Sequence, residues 1–371
     1  MSTSSPAPLN RSGRFAHIDA MRAFGVMLVV VAHAGLGHII PGGSGVTIFF
    51  SISGFIIMYL LLREREKTGS FSVSQFYLRR CIKIVPPLLV AVVIPSLIFS
   101  MFEKLDWGAF LGQVFFFFNW FKIDGSHDVM PGTDVVWSLS IEEQFYILFA
   151  LMWLIAVRSR YWRALTASVA LLCVLWSMSS RMILATDPDM THRIYYGSDT
   201  RIEGIALGVL AAIAYHSWQQ RGERPNRVSN VFANDWSLVA AIVMYVVSLL
   251  IRDDWFRDTF RFTLQSAAAC IVIVYGLTPG VGPMRKYFYQ VSQMRIVQLI
   301  GLASYSIYLV HLSVANAIHV VFQLPPLVEV PFTVMLGVIV GIALYKWIEV
   351  PIHSARAAKN NQRTLARSTS A

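Results

Sequence analysis

An arginine and a histidine eleven positions apart, Arg22 and His33, stand in the first apolar stretch of this sequence. Eleven residues are three helical turns, so both side chains fall on nearly one face, with His33 about 16 Å further along the axis. An imidazole at that depth could act as a base or carry a group transiently near neutral pH. It could equally be a packing histidine, and Arg22 could be a snorkelling anchor. Asp19 precedes the pair by one turn. Three further cations, Arg79, Arg80 and Lys83, come just before Pro86-Pro87. Such a cluster could hold phosphates, although membrane topology alone also places cations there. Next comes Trp137-Ser-Leu-Ser-Ile-Glu142-Glu143-Gln144, where two carboxylates open an otherwise apolar helix. They could orient hydroxyls or favour a helix N-terminus electrostatically, and the flanking aromatic residues suit an interface belt or a sugar-stacking surface. Asp199, Arg201 and Glu203 open a later helix. With Glu142 and Glu143 they are expected to meet in one outward-facing polar cluster. Further on, Ser304, Tyr308 and His311 share one helix face, with Tyr305 beside them.

These groups need elements to position them, and composition says which kind. Of 371 residues, 56% are hydrophobic and only 14% charged, against about 25% in soluble domains; mean hydropathy is +0.56. Too few charges exist to cover a water-facing surface, so lipid must cover much of it. A removed signal peptide does not explain the excess, because apolar segments recur along the whole length. The formal charge of +10 would suggest nucleic acid in a soluble protein, but basic residues also collect in cytoplasmic loops, and no nucleic-acid partner is expected. Cys81, Cys173 and Cys270 lie scattered in or beside apolar stretches, without metal spacing or a disulfide framework.

Spanning the hydrocarbon as helix takes about 20 mainly apolar residues. About ten such segments are legible: 20–40, 45–62, 84–102, 137–157, 164–184, 201–218, 236–251, 262–278, 298–321 and 331–349. The apolar run 110–121 is too short for a span and reads as re-entrant or interfacial. With the N-terminus in the cytoplasm, most Lys and Arg fall inside, as the positive-inside rule requires, so both termini are expected to be cytoplasmic. The predicted architecture is an all-α integral membrane protein, multi-pass in the inner or plasma membrane. A disordered N-terminus (1–17) and a disordered basic tail (354–371) flank one transmembrane domain (18–353). Ionisable groups in such spans are costly unless paired or hydrated, and so are functional candidates.

These islands, in this order, resemble the membrane acyltransferase family 3. Its members include O-acetyltransferases of O-antigen, exopolysaccharide and Nod factors, and acylases of macrolide sugars. The matching pieces are Asp19–Arg22 with His33, Phe49–Phe55, Arg79–Pro87, Trp137–Tyr146, Thr200–Gly208, Gly301–His311 and Ile348–Pro351. Together they run over nearly the whole chain. The resemblance implies that His33 is catalytic, and that the family's Arg-x-x-Arg motif, linked to acyl-CoA handling, falls on Arg80 and Lys83. Lysine there keeps the charge and loses the bidentate fork; Ala23 stands where a glycine is usual. Some relatives carry a fused extracytoplasmic esterase-like domain, for which 371 residues leave no room, so transfer is expected to finish within the helices.

The expected activity is acyl transfer, foremost acetyl, from cytosolic acyl-CoA to a hydroxyl of a carbohydrate or glycosylated acceptor, with no metal. Arg22, Arg79, Arg80 and Lys83 would handle the donor. His33 would be catalytic and Glu143 would orient hydroxyls or relay a proton. Asp19, Glu142, Trp137, Arg201, Glu203, Tyr305 and His311 would contact substrate. The competing expectation is a proton-coupled transporter or flippase of a glycolipid, since buried His and carboxylates also suit a proton relay.

Overall fold

The computed structural model describes residues 14–69, 71–220 and 227–369, which form helices and no strand. The first helix, α1 (Ala16–Val31), widens into a π-helical turn over Ala32–Leu36. The long α2 (Gly42–Thr68) returns beside it. Next, α3 (Val73–Leu88) contains Pro86 and Pro87 and continues through a π-helical segment to Phe99. Each proline removes a backbone donor and disturbs the preceding turn, which accounts for the irregular ladder. Two short helices follow, α4 (Trp107–Val114) and α5 (Phe118–Asp124). Then come α6 (Val136–Ala156), α7 (Trp162–Leu184), α8 (Glu203–Gln220), α9 (Trp236–Leu250) and α10 (Phe260–Leu277). The chain closes with α11 (Ser304–Phe322), α12 (Pro326–Leu344) and α13 (Val350–Thr369).

Among the described residues, eight helices are long and apolar enough to cross a membrane. The expected spans 201–218 and 236–251 correspond to α8 and α9, which are not among the eight. Polar residues at both ends of α8 lower its hydropathy, and α9 has only 15 residues. The all-α membrane architecture therefore holds. The expected span 298–321 is interrupted at Ala303, between the short helix Arg295–Leu302 and α11. The apolar run 110–121 folds as α4 and α5, with the chain reversing at Phe116, whose φ is +61°. Gln144 fixes this bend, donating to the Phe116 carbonyl (2.8 Å) and Asn119 Oδ1 (2.9 Å). At the far end helix continues to Thr369, where composition suggests a disordered tail; Ala, Arg, Lys, Gln and Leu are favourable helix residues. Residues 1–13 of the expected disordered N-terminus lie outside the described residues.

The core is built around α2. Phe50, Phe55, Ile57 and Met58 are buried on it, and it packs on α1, α8 and α10. The crossing with α8 is close because glycines face backbone: a Cβ on Gly54 would meet the Ile205 carbonyl, and one on Gly208 the Ser51 carbonyl. Small residues allow such close approach between membrane helices. Apolar side chains also point outward, Leu172 and Trp176 on α7 being 64% and 65% exposed, as lipid-facing helices require.

Candidate active site

Five helices, α1, α2, α3, α6 and α11, enclose a cavity of about 110 Å³. Arg22, Arg80 and Lys83 bring cations to it, Glu142 and Glu143 carboxylates, and Ser53, Ser304, Tyr305 and Tyr308 hydroxyls. Arg80 and Lys83 share a face because i and i+3 are neighbours on a helix; the same spacing presents Tyr305 and Tyr308. The polar groups are held from behind. Arg22 Nε donates to Ser304 Oγ at 3.1 Å. Glu142 accepts from Ser53 Oγ (3.0 Å) and Tyr146 Oη (3.1 Å). The Arg80 guanidinium lies 3.9 Å from the centre of the Tyr146 ring. Tyr305 Oη donates to the Ile84 carbonyl at 3.0 Å.

Two groups lack such support. Neither Glu143 nor Lys83 makes a hydrogen bond or ion pair among the described residues, yet both line the cavity. Glu349, which falls within the matching piece Ile348–Pro351, is buried near Arg22 and Lys83 and accepts from Ser306 Oγ at 2.6 Å. Its signal was available: a carboxylate at the end of an apolar helix, in a chain with few acids.

His33 sits in the π-helical turn beyond α1, beside Gly35, whose φ is +116°. Its Nδ1 lies 2.8 Å from His311 Nε2, and the rings stack at 5.1 Å. His311 Nδ1 in turn lies 2.8 Å from the Tyr308 carbonyl. A carbonyl only accepts, so in the neutral pair His311 Nδ1 carries the proton and its Nε2 is an acceptor. His33 must then donate from Nδ1, which leaves the Nε2 lone pair as its basic site. His33 does not line the cavity. Tyr308 stands between, its hydroxyl 2.7 Å from Ser138 Oγ and donating to the Val135 carbonyl at 3.1 Å, its ring 5.7 Å from that of His311. His33 is exposed and His311 buried.

The other expected site residues are placed elsewhere. Arg79 is exposed and pairs with Glu64 at 2.6 Å, so it is not part of the cavity lining. Asp19 is buried against Gly301, its Oδ2 without a hydrogen-bond partner among the described residues. The expected meeting of Glu142, Glu143, Asp199, Arg201 and Glu203 in one cluster does not occur, because the helices carry these groups to separate places. Glu142 and Glu143 face the cavity, and Asp199 binds Arg193 through two bonds of 2.8 and 2.7 Å. Glu203 pairs with Arg181 in the interior. Arg201 is caged by aromatic rings, its guanidinium 3.9 Å from the Phe262 centroid, 5.1 Å from Tyr195 and 6.0 Å from Trp137. Trp137 itself packs on Tyr195 and Tyr196. Sequence reasoning missed Arg181; an arginine in the last turn of an apolar helix, once buried, implies an acidic partner. The cysteines are free, and among the described residues no three metal-ligating side chains cluster.

Comparison with known proteins bears on this geometry. The sequence model of the family 3 acyltransferase domain matches residues 15–346. The chain belongs to this acyltransferase family. Among relatives, an O-acetyltransferase OatA of Staphylococcus aureus strain NCTC 8325 is 25% identical over 355 residues, covering 90% of this chain and 56% of the relative. A protein of strain COL, named as a candidate O-acetyltransferase, is 27% identical over 363 residues with the same coverage. The chain thus spans about half the length of these curated relatives. No solved structure matches it. In this family 3 member, the cavity and the histidine pair occupy the matched region.

Proposed function

We propose that this protein is a membrane O-acyltransferase that moves an acetyl group from acetyl-CoA to a hydroxyl of a carbohydrate or glycosylated acceptor. Family membership and relatives named for O-acetyl transfer support this reading. The observation that carries it is the adjacency of a three-cation cavity and a histidine pair, separated by the Tyr308 side chain. Both termini are cytoplasmic in this proposal, as the distribution of Lys and Arg favours. Arg80 and Lys83 then lie near the inner face and hold CoA phosphates through charge-assisted hydrogen bonds. Arg22, fixed by Ser304, guides the thioester toward Tyr308. Glu143, which makes no hydrogen bond or ion pair among the described residues, orients the acceptor.

In the reaction, His33 Nε2 takes the acceptor hydroxyl proton as the oxygen attacks the thioester carbonyl carbon. The C–S bond breaks, an ester forms, and the imidazolium returns the proton to the CoA thiolate. In a two-step course His33 Nε2 attacks the thioester carbon first and CoA leaves as the thiolate; the acceptor oxygen then attacks the Nε2-acetyl group, its proton passing to the thiolate as the C–N bond breaks and Nε2 is freed. His311 holds His33 in the required tautomer in either case. Tyr308 must turn aside for the thioester and His33 to meet.

The test uses purified protein in nanodiscs with radiolabelled acetyl-CoA, comparing wild type with His33→Ala. CoA release and labelling of added bacterial glycan that depend on His33 are expected; label on the protein marks the two-step course. Acetyl-CoA that binds without any release, beside proton-driven movement of a glycolipid, would establish a transporter instead.

A further inference from the structure

At the end of the bundle where α1 finishes, a second cavity of about 720 Å³ opens between the segment following His33, the α9–α10 connection and the end of α7. Its size lies within the roughly 300–1,000 Å³ of small-molecule sites. Tyr195, Phe262 and Trp255 supply an aromatic wall. Gln265 lies at its base, only 1% exposed. Its Nε2 donates to Ser248 Oγ at 3.1 Å, whereas its Oε1 has no partner among the described residues. A buried carbonyl left without a donor is costly, so this basin lacks an N–H or O–H from something else.

The charges divide unevenly between engaged and free. Each rim carboxylate has one local partner: Asp254, itself 92% exposed, has Arg257 (3.1 Å), Asp258 the Thr191 hydroxyl (2.8 Å) and Asp187 the Asp189 amide (3.0 Å). Two guanidinium groups, Arg252 and Arg261, make no hydrogen bond or ion pair among the described residues, though both line the basin. Arg201 adds positive charge behind the wall, over Phe262 and Tyr195. The capacity left for a ligand is thus the Arg252 guanidinium, the hydrogen-bonding edge of Arg261, whose cation lies 5.0 Å over the buried Phe262 ring, one acceptor, and the rings of the half-buried Tyr195 and the exposed Trp255.

We propose that this basin binds an acidic glycan. A sugar ring stacks on the aromatic wall, a hydroxyl or amide N–H of the glycan reaches Gln265 Oε1, and a carboxylate or phosphate group engages Arg252 and Arg261, whose planar forks match such anions. An anionic phospholipid would satisfy the arginines but leaves the aromatic wall and the buried carbonyl unexplained. The inference rests on the reading that the acceptor is a carbohydrate. Binding is therefore measured without acyl donor, so that it stands or falls apart from transfer.

The experiment places the full chain in phosphatidylcholine nanodiscs and titrates trigalacturonic acid and maltotriose by calorimetry. Trigalacturonate is expected to bind at least about tenfold more tightly than maltotriose, and Arg252→Ala, at an exposed position, to weaken it by about tenfold, the worth of one charge-assisted hydrogen bond. Gln265→Leu should weaken both sugars alike. Equal affinity for the two sugars, binding of neither, or affinity unchanged by Arg252→Ala overturns the proposal. So does native mass spectrometry showing phosphatidylglycerol retained by wild type and lost from Arg252→Ala while trigalacturonate fails to bind.

Discussion

His33 Nδ1 stands 2.8 Å from His311 Nε2, although the two residues are 278 positions apart. Because the Tyr308 carbonyl fixes the His311 proton, this contact selects which His33 nitrogen stays basic. His33→Ala should reduce turnover by the roughly 10²–10⁴-fold of positioned base catalysis. His311→Leu, which removes the acceptor, should lower kcat by about tenfold or more and leave the KM for acetyl-CoA unchanged. His311→Gln, which offers an amide oxygen to Nδ1–H, should recover part of it. Steady-state kinetics in nanodiscs decide: equal kcat in wild type and His311→Leu would remove His311 from the mechanism.

The cavity cations should separate by position. Arg80→Ala or Lys83→Ala is expected to raise the KM for acetyl-CoA about tenfold, since a hydrogen bond to a charged group contributes about 1.5–3 kcal/mol. Arg79→Ala should stay within about twofold, because an exposed ion pair such as Arg79–Glu64 contributes little. A larger effect at Arg79 than at Arg80 would reverse the assignment of the donor site.

Buried charge should dominate stability. Arg181 and Glu203 are both fully enclosed, and removing one partner strands the other at a cost of about 3–5 kcal/mol. Glu203→Gln should lower the melting temperature in detergent, and Arg181→Met combined with Glu203→Met should recover much of the loss. If the double variant melts no higher than the single one, the pair is not an isolated unit.

The α2–α8 crossing leaves no room for a side chain. Gly208→Leu or Gly54→Val is expected to prevent monodisperse folding, because the added atoms meet backbone carbonyls rather than movable side-chain ends. Gly125, where nothing lies near the would-be Cβ, has a φ of +128°; Gly125→Ala should cost only local backbone strain. Size-exclusion profiles of the three variants distinguish the cases.

In the segment between α3 and α6, Asp106 accepts from the Ala109 amide and from His127 at 2.7 Å. These bonds, the amide first, hold its carboxyl below the usual carboxylate range. A lowered folded pKa contributes stability that is full above the unfolded value of about 3.9 and is lost as pH falls through the folded one. Hydrogen exchange of residues 103–128 should therefore quicken below about pH 4 in wild type, and Asp106→Asn should be fast already at neutral pH. Identical protection in the two proteins at neutral pH would contradict this.

Local chemistry made much of this legible. Apolar stretches of about 20 residues in a chain that is only 14% charged have the length of membrane helices, in which every backbone group pairs within its own segment. The spacing of Arg80 and Lys83, and of Ser304, Tyr308 and His311, follows from the helical repeat alone. What periodicity does not carry is which helix faces which, because lipid-facing and protein-facing apolar side chains read alike. Only the tertiary structure therefore paired His33 with His311, turned Arg79 out toward Glu64, and gave Glu203 to Arg181. The cluster expected of the acidic residues dissolved for the same reason: a buried charge takes the nearest partner in space, and sequence distance does not measure that.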